Sequence, residues 1–248
     1  MSEEGGCGFP VRLNRYLAVC GICARRKADV LIASGRVTVE GVAETSPGRV
    51  LDRPLDVRVD GRAAVPVRRA YIVMNKPSGV LSAVSDARER TVLDLLPDSY
   101  RPLGLYPVGR LDKDSEGLIV LTNDGKFARE LIHPSRCVER TYFVTLRRAL
   151  RAEKLDEWRS GVIIEGRLFK PIEVTDLDGP ARGLRFKVVL GEGVKREIRL
   201  MAASLGSSVE KLQRVGIGRL FLKKLPRGAF YEYNHKKLRD MISRGGEV

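Results

Sequence analysis

The segment best equipped for chemistry runs from Tyr106 to Gly125: Tyr-Pro-Val-Gly-Arg-Leu-Asp-Lys-Asp-Ser-Glu-Gly-Leu-Ile-Val-Leu-Thr-Asn-Asp-Gly. Asp112, Asp114, Glu116 and Gly117 match positions 1, 3, 5 and 6 of an EF-hand calcium loop. The match fails at position 12, where Asn123 replaces the bidentate Glu, and Pro107 and Gly109 stand where the entering helix should be. A charged turn ahead of a buried strand accounts for Asp114 and Glu116. It does not account for Asp112, a carboxylate directly after Gly-Arg-Leu at the apolar edge of that turn. Asp112 is therefore the candidate acid, base or nucleophile.

A second constellation is Gly191-Glu-Gly-Val-Lys-Arg-Glu-Ile-Arg-Leu-Met-Ala-Ala-Ser-Leu-Gly206. On a helix starting near Val194, residues Ile198, Met201, Ala202 and Leu205 form one apolar stripe, which leaves Arg196 and Arg199 on the opposite face. Cys20-Gly-Ile-Cys23 resembles half of a zinc site, but a structural zinc needs four ligands. The sequence has no second C-x-x-C, and its only histidines are His133 and His235. Buried small thiols at helical spacing are the expectation there, with no metal. Neither a phosphate-cradling G-x-x-x-x-G-K-[ST], nor a dinucleotide fingerprint, nor a G-x-S-x-G elbow occurs. The chemistry in view is a carboxylate site without a cofactor.

These residues need elements to position them. Residues 1–8 are small and polar and read as a disordered lead-in. Apolar positions at helical spacing (Leu13, Leu17, Cys20, then Ala24, Ala28, Leu31, Ile32) predict two short helices, the second ending at Gly35. Alternation at Arg36–Val39 and Asp56–Val59 predicts two short strands, closing a small module over 9–61. Residues 62–69, with Pro66 and three arginines, read as a linker. Beyond it, strand-like runs (71–75, 118–122, 140–146, 162–165, 171–175, 184–190, 209–215) alternate with helical ones (126–132, 151–159, 195–204). The fold class is α+β, with a larger second domain over 70–234 and a fraying basic tail over 235–248.

The 248 residues carry 45 Lys+Arg against 31 Asp+Glu, a net charge of +14, which points to a polyanionic partner. Membrane-surface proteins concentrate such charge on an amphipathic helix, whereas here it is spread along the chain, and no apolar run approaches the ~20 residues of a span. With no signal peptide at Met-Ser-Glu-Glu-Gly-Gly and only 4 cysteines, the expected setting is the reducing cytoplasm. Arg12, Arg15, Arg25, Arg26, Lys27 and Arg36 cluster on or beside the first two helices, interrupted only by Asp29, and suit a phosphate backbone.

Arg12-Leu-Asn-Arg-Tyr-Leu-Ala, Gly21, Arg25-Arg26-Lys27 and Ile32-Ala-Ser-Gly-Arg-Val-Thr-Val39 with Gly41 resemble the S-four RNA-binding domain, although Glu40 stands where that family usually has Asn. Asp112 in Gly-Arg-Leu-Asp, Tyr142 in Glu-Arg-Thr-Tyr-Phe-Val and Arg199 in Lys-Arg-Glu-Ile-Arg resemble the three signature motifs of pseudouridine synthases. With the front module, the chain is similar to the ribosomal-RNA branch named for RsuA and RluB. The likeness runs from about residue 10 to 233 and includes Asn75-Lys-Pro-Ser-Gly79 and Ile217-Gly-Arg-Leu-Phe-Leu222. Glu197 departs from the usual Gln of the arginine motif.

The resemblance implies a mixed, mostly antiparallel sheet flanked by helices, and isomerisation of uridine to pseudouridine in ribosomal RNA. The Leu131-Ile-His-Pro134 segment leans toward the large subunit. It implies catalytic roles for Asp112, Tyr142 and Arg199, with Arg110 and Arg196 joining the RNA-binding cations. Asp112 would start cleavage by attack on sugar or base, or by removing a sugar proton. Arg199 would keep that carboxylate charged beside an extruded uridine, and Tyr142 would stack on the flipped base. No cofactor is implied, since the reaction is redox-neutral. The expected partner is ribosomal RNA, alone or in a pre-ribosomal subunit, acted on by a monomer. A non-catalytic ribosome-assembly protein of the same architecture is the alternative. A methyltransferase with the same front module would need a glycine-rich methyl-donor loop, and the sequence has none.

Overall fold

The computed structural model describes residues 8–179 and 183–243. The lead-in expected over 1–8 lies outside the described residues except for its last, as does the end of the tail beyond Ser243. The first part of the chain folds as β1 (Val11–Arg12), α1 (Leu13–Val19), α2 (Arg25–Ala33), β2 (Val37–Val39), β3 (Val42–Glu44), β4 (Val50–Leu51), β5 (Val57–Val59) and β6 (Arg62–Ala63). The two predicted helices form, and their apolar positions Leu13, Leu17, Ala28 and Ile32 are fully buried. They pack on a four-stranded sheet ordered β3-β2-β5-β6, while β1 pairs with β4. The β2–β3 turn needs two left-handed residues, met by Glu40 (φ 51) and Gly41 (φ 80). Glu40 tolerates this because its Oε1 accepts a 2.6 Å bond from the Asp56 amide. Of the residues expected as linker over 62–69, Arg62–Ala63 instead pair with β5, and Ala64 belongs to the buried cluster of this first unit.

The rest forms β7 (Tyr71–Lys76), β8 (Tyr106–Val108), β9 (Glu116–Thr122), α3 (Gly125–Ile132), β10 (Arg140–Leu146), α4 (Ala152–Ser160), β11 (Val162–Ile164), β12 (Arg167–Phe169), β13 (Glu173–Asp176), β14 (Arg185–Leu190), α5 (Glu197–Ser204), β15 (Val209–Ile217), β16 (Leu220–Phe221), β17 (Phe230–Tyr233) and α6 (His235–Ile242). The large sheet is ordered β13-β14-β10-β15-β9-β7-β17, with β8 added to β9 and β16 to β15. All its pairs are antiparallel except β9 with β15, which are parallel. The fold is the expected α+β class with a mostly antiparallel sheet.

β7 and β9 are buried along their whole length, and burial on both faces explains why they read as unbroken apolar runs. Val73, Leu118 and Val120 face α3 and α6, while Ile72, Met74, Ile119 and Leu121 face the turns over 92–103. A third cluster fills the other half of the sheet, where Trp158 of α4 meets Phe186 of β14 edge-on at 5.4 Å. The tail expected to fray from His235 is instead helical to Ile242. Leu238 and Ile242 bury into the cluster around β9, an apolar i, i+4 pair that outweighs the surrounding charge. No helix among the described residues is long and apolar enough to cross a membrane.

Candidate active site

The parallel contact between β9 and β15 is where the site is built. Their register pairs Glu116 with Gln213 and Gly117 with Arg214. Gly117 has φ +109, and a Cβ there would lie 2.1 Å from the Arg214 carbonyl oxygen, so the strands meet only because residue 117 has no side chain. Arg214 fills the junction: it is 3% exposed, and its Nε donates to the Leu118 carbonyl at 2.7 Å.

The turn Asp112–Ser115 leads directly into β9 and is closed by the Ser115 amide donating to the Asp112 carbonyl at 3.1 Å. Lys76, wholly buried at the end of β7, holds the turn from beneath. Its Nζ donates to the carbonyls of Pro77 (3.0 Å), Lys113 (3.2 Å) and Ser115 (2.7 Å). Burial lowers the Lys76 ammonium to about 8, opposed by Asp114, Glu116 and Asp112. Ser82 ties the preceding residue, its Oγ accepting from the Leu111 amide and donating to the Leu111 carbonyl.

Asp112 meets two guanidinium groups. Arg199 Nε and Arg196 Nη1 each lie 3.6 Å from its Oδ2. Arg199 projects from α5, whose stripe Ile198, Met201, Ala202 and Leu205 is buried as predicted. Arg196 is not on that helix face: α5 begins at Glu197, and Arg196 is its N-cap in the left-handed region (φ 58), from which its Nη1 reaches Asp112. Tyr142 is on β10, opposite Arg214 of β15, and the register shifts between Thr141 and Tyr142, a bulge of the kind that re-aims a side chain beside a site. Asp112, Tyr142, Arg110, Arg196, Ser82 and Glu197 all line one cavity of about 560 Å³.

Three partners of the site carry no functional signal that the sequence made plain. Asp114, read as a turn residue, makes the shortest bond to Arg199, Nη2 to Oδ2 at 2.7 Å. Lys76 stood only within a motif; its signal was a lysine closing a strand that opens with the apolar run Tyr71–Met74. Glu197 is 3% exposed; its Oε2 accepts from the Val194 amide at 3.3 Å, and its Oε1 has no hydrogen-bond partner. Burial pushes its carboxyl up to about 7, with Glu192 adding to the rise and the Val194 amide, Arg167 and Arg140 opposing it.

Arg12, Arg15, Arg25, Arg26, Lys27 and Arg36 are all exposed in the first unit, some distance along the chain from this cavity. Arg36 is engaged by Asp60, its Nε donating to Oδ1 at 2.9 Å, and Arg25 reaches Asn14 at 3.5 Å. Cys20 is buried and Cys23 half-buried.

The sequence and fold that carry this cavity have relatives among known proteins. The family described as RNA pseudouridylate synthase matches residues 70–204. Dual-specificity RNA pseudouridine synthase RluF of Escherichia coli (strain K12) is 34% identical over 237 residues, 94% of this chain and 78% of that one. Ribosomal large subunit pseudouridine synthase B of Vibrio cholerae serotype O1 is 36% identical over 241 residues, 93% of this chain and 75% of that one. A crystal structure of a pseudouridylate synthase shares the fold, with a TM-score of 0.66 and 23% identity over 94% of this chain and 100% of its own. Since the family match takes in the turn before β9, β10 and the whole of α5, the chain that builds this cavity belongs to the RNA pseudouridine synthases and is an enzyme.

Proposed function

We propose that the protein converts specific uridines of ribosomal RNA, in the large subunit, to pseudouridine, with Asp112 as the group that reacts with an extruded nucleotide. The observation that carries this reading is the convergence of Arg196 and Arg199 on Asp112, which lines one cavity together with Arg196 and Tyr142. In the reaction the bond from C1′ to N1 breaks, the uracil turns, and a bond from C1′ to C5 forms. C5 loses its proton and N1 gains one, so atoms and electrons balance within the nucleotide and solvent. Asp112 supplies the carboxylate, and Arg196 and Arg199 balance its charge in a half-enclosed site. Tyr142 presents a ring on which an extruded base can stack.

The first unit is read as an S-four-type RNA-binding domain of the RsuA/RluB branch, in which Arg12, Arg15, Arg25, Arg26 and Lys27 track phosphates. Arg36, bonded to Asp60, contributes less than its charge suggests. Arg110 and Arg196, at the rim of the cavity, take the phosphates flanking the target. In this reading the protein acts as a monomer in the cytoplasm on ribosomal RNA, alone or within an assembling subunit.

The test is to map pseudouridines in ribosomal RNA from cells with and without the protein, and then to supply Asp112→Asn. At least one position should lose its modification in the deletion strain and stay unmodified with Asp112→Asn, while filter binding of that variant to the same RNA stays within about threefold, because phosphate contacts carry most of the affinity. An unchanged map would favour a ribosome-assembly role without catalysis.

A further inference from the structure

We infer that Asp114 is a positioning residue, whose carboxylate sets the rotation of the Arg199 guanidinium so that Nε faces Asp112. The inference rests on the reading of Asp112 given above. A guanidinium is a rigid planar fork, so two anchors fix the direction of its remaining donors. Arg199 Nη1 donates to the Val209 carbonyl at 3.3 Å, and Nη2 donates to Asp114 Oδ2 at 2.7 Å and to Ser115 Oγ at 3.4 Å. Nε, buried and without a hydrogen-bond partner, is left 3.6 Å from Asp112 Oδ2. Removing the Asp114 carboxylate would leave the fork only its two long contacts with neutral oxygens.

An exposed ion pair is ordinarily worth little, and the Asp114 side chain is 61% exposed. Two features lift this pair above that expectation. The Arg199 side chain is only 12% exposed, so the bond is made on a largely desolvated cation. The Asp114 backbone is also immobilised. Lys76 holds the carbonyls on either side of it, Ser78 Oγ donates to its own carbonyl at 3.2 Å, and the Gly79 amide donates to the Lys113 carbonyl at 2.8 Å. Asp114 is thus a fixed post, and the two-residue spacing from Asp112 sets one carboxylate to hold the arginine and the other to face it.

The experiment compares Asp114→Ala and Asp114→Asn with wild type in the full chain, reading kcat, KM and the Arg199 Nε–H resonance, assigned by its absence in Arg199→Lys. Asp114→Ala should lower kcat about 10- to 100-fold, the range for a misplaced group, with KM within about twofold. Its Nε–H signal should exchange faster with solvent. Asp114→Asn keeps an acceptor oxygen toward Nη2 and should recover most of the loss in both readouts. Full kcat in Asp114→Ala, a rise in KM alone, or a lowered kcat with an unaltered Nε–H resonance would each overturn the inference. Should wild type make no pseudouridine on any ribosomal RNA, the functional reading would fail while the resonance still decided whether Asp114 orients Arg199.

Discussion

Arg199 makes three hydrogen bonds and turns its Nε toward Asp112, and Lys cannot reproduce that geometry. Arg199→Lys keeps the charge but loses the fork, so kcat should fall about 10²-fold or more with RNA affinity little changed. Activity equal to wild type would show that only diffuse positive charge matters. Glu197 gives a separate prediction in stability. Its carboxyl titrates near 7 in the fold against an ordinary 4.5, so the folded chain holds this proton longer than the unfolded chain does. Stability from this group is therefore greatest below about 4.5 and declines as pH rises through 7. Glu197→Gln keeps the shape and removes the titration, so it should stabilise the protein at pH 8 by up to about 3 kcal/mol and by little at pH 5. Urea midpoints at the two pH values check this, and an equal shift at both would assign the effect to packing. That Asp112 would meet Arg199 and share a cavity with Tyr142 was legible because each sits in a short stretch of distinctive residues. The Asp114–Arg199 bond was not, because it joins residues 85 apart in sequence through side-chain geometry that no local pattern encodes.

Elements with a sustained period were readable: α3, α4, β7, β9, β10, β14 and β15 all lie where spacing placed them. The strands β1, β4 and β6 were not, since a strand of two residues is too short to show alternation. α6 was misread because charge dominates His-Lys-Lys-Leu-Arg-Asp-Met-Ile, although Leu238, Met241 and Ile242 hold one face. Leu238→Ala should therefore cost about 2–5 kcal/mol, as in a core, where a frayed tail would show no change in thermal midpoint. Gly117→Ala meets the Arg214 backbone, which cannot yield as a side chain can. Strain and overpacking together should cost roughly 2–6 kcal/mol and depress activity with stability, because the β9–β15 junction positions the turn that carries Asp112.

Across the whole molecule, the net charge of +14 announced a polyanionic partner, and residues 62–64, read from composition as linker, belong to the first sheet and its cluster. The miss arose because Tyr16 donates its hydroxyl to the Ala64 carbonyl, a bond between residues 48 apart that composition cannot register. The double variant Arg25→Glu/Arg26→Glu should weaken RNA binding and flatten its dependence on salt by roughly 0.7–0.9 in log-log slope for every phosphate the first unit no longer neutralises. The fold should be spared because both side chains are exposed. Titrations at several salt concentrations would read this, and an unchanged slope would remove the first unit from the RNA interface.

The pairing of β7 with β17 also sets an order in time. The buried cluster of the first unit draws on nothing beyond Ala64, whereas β7 waits for Phe230–Tyr233 to complete its second edge. At synthesis rates of roughly 5–20 residues per second, that wait is about 8–30 s. During translation the residues of the unit proposed to grip RNA are complete first, whereas Asp112 meets Arg199 and the β9–β15 junction only once residues 199–217 have been made. A nascent chain would thus acquire its hold on RNA well before it acquires its chemistry.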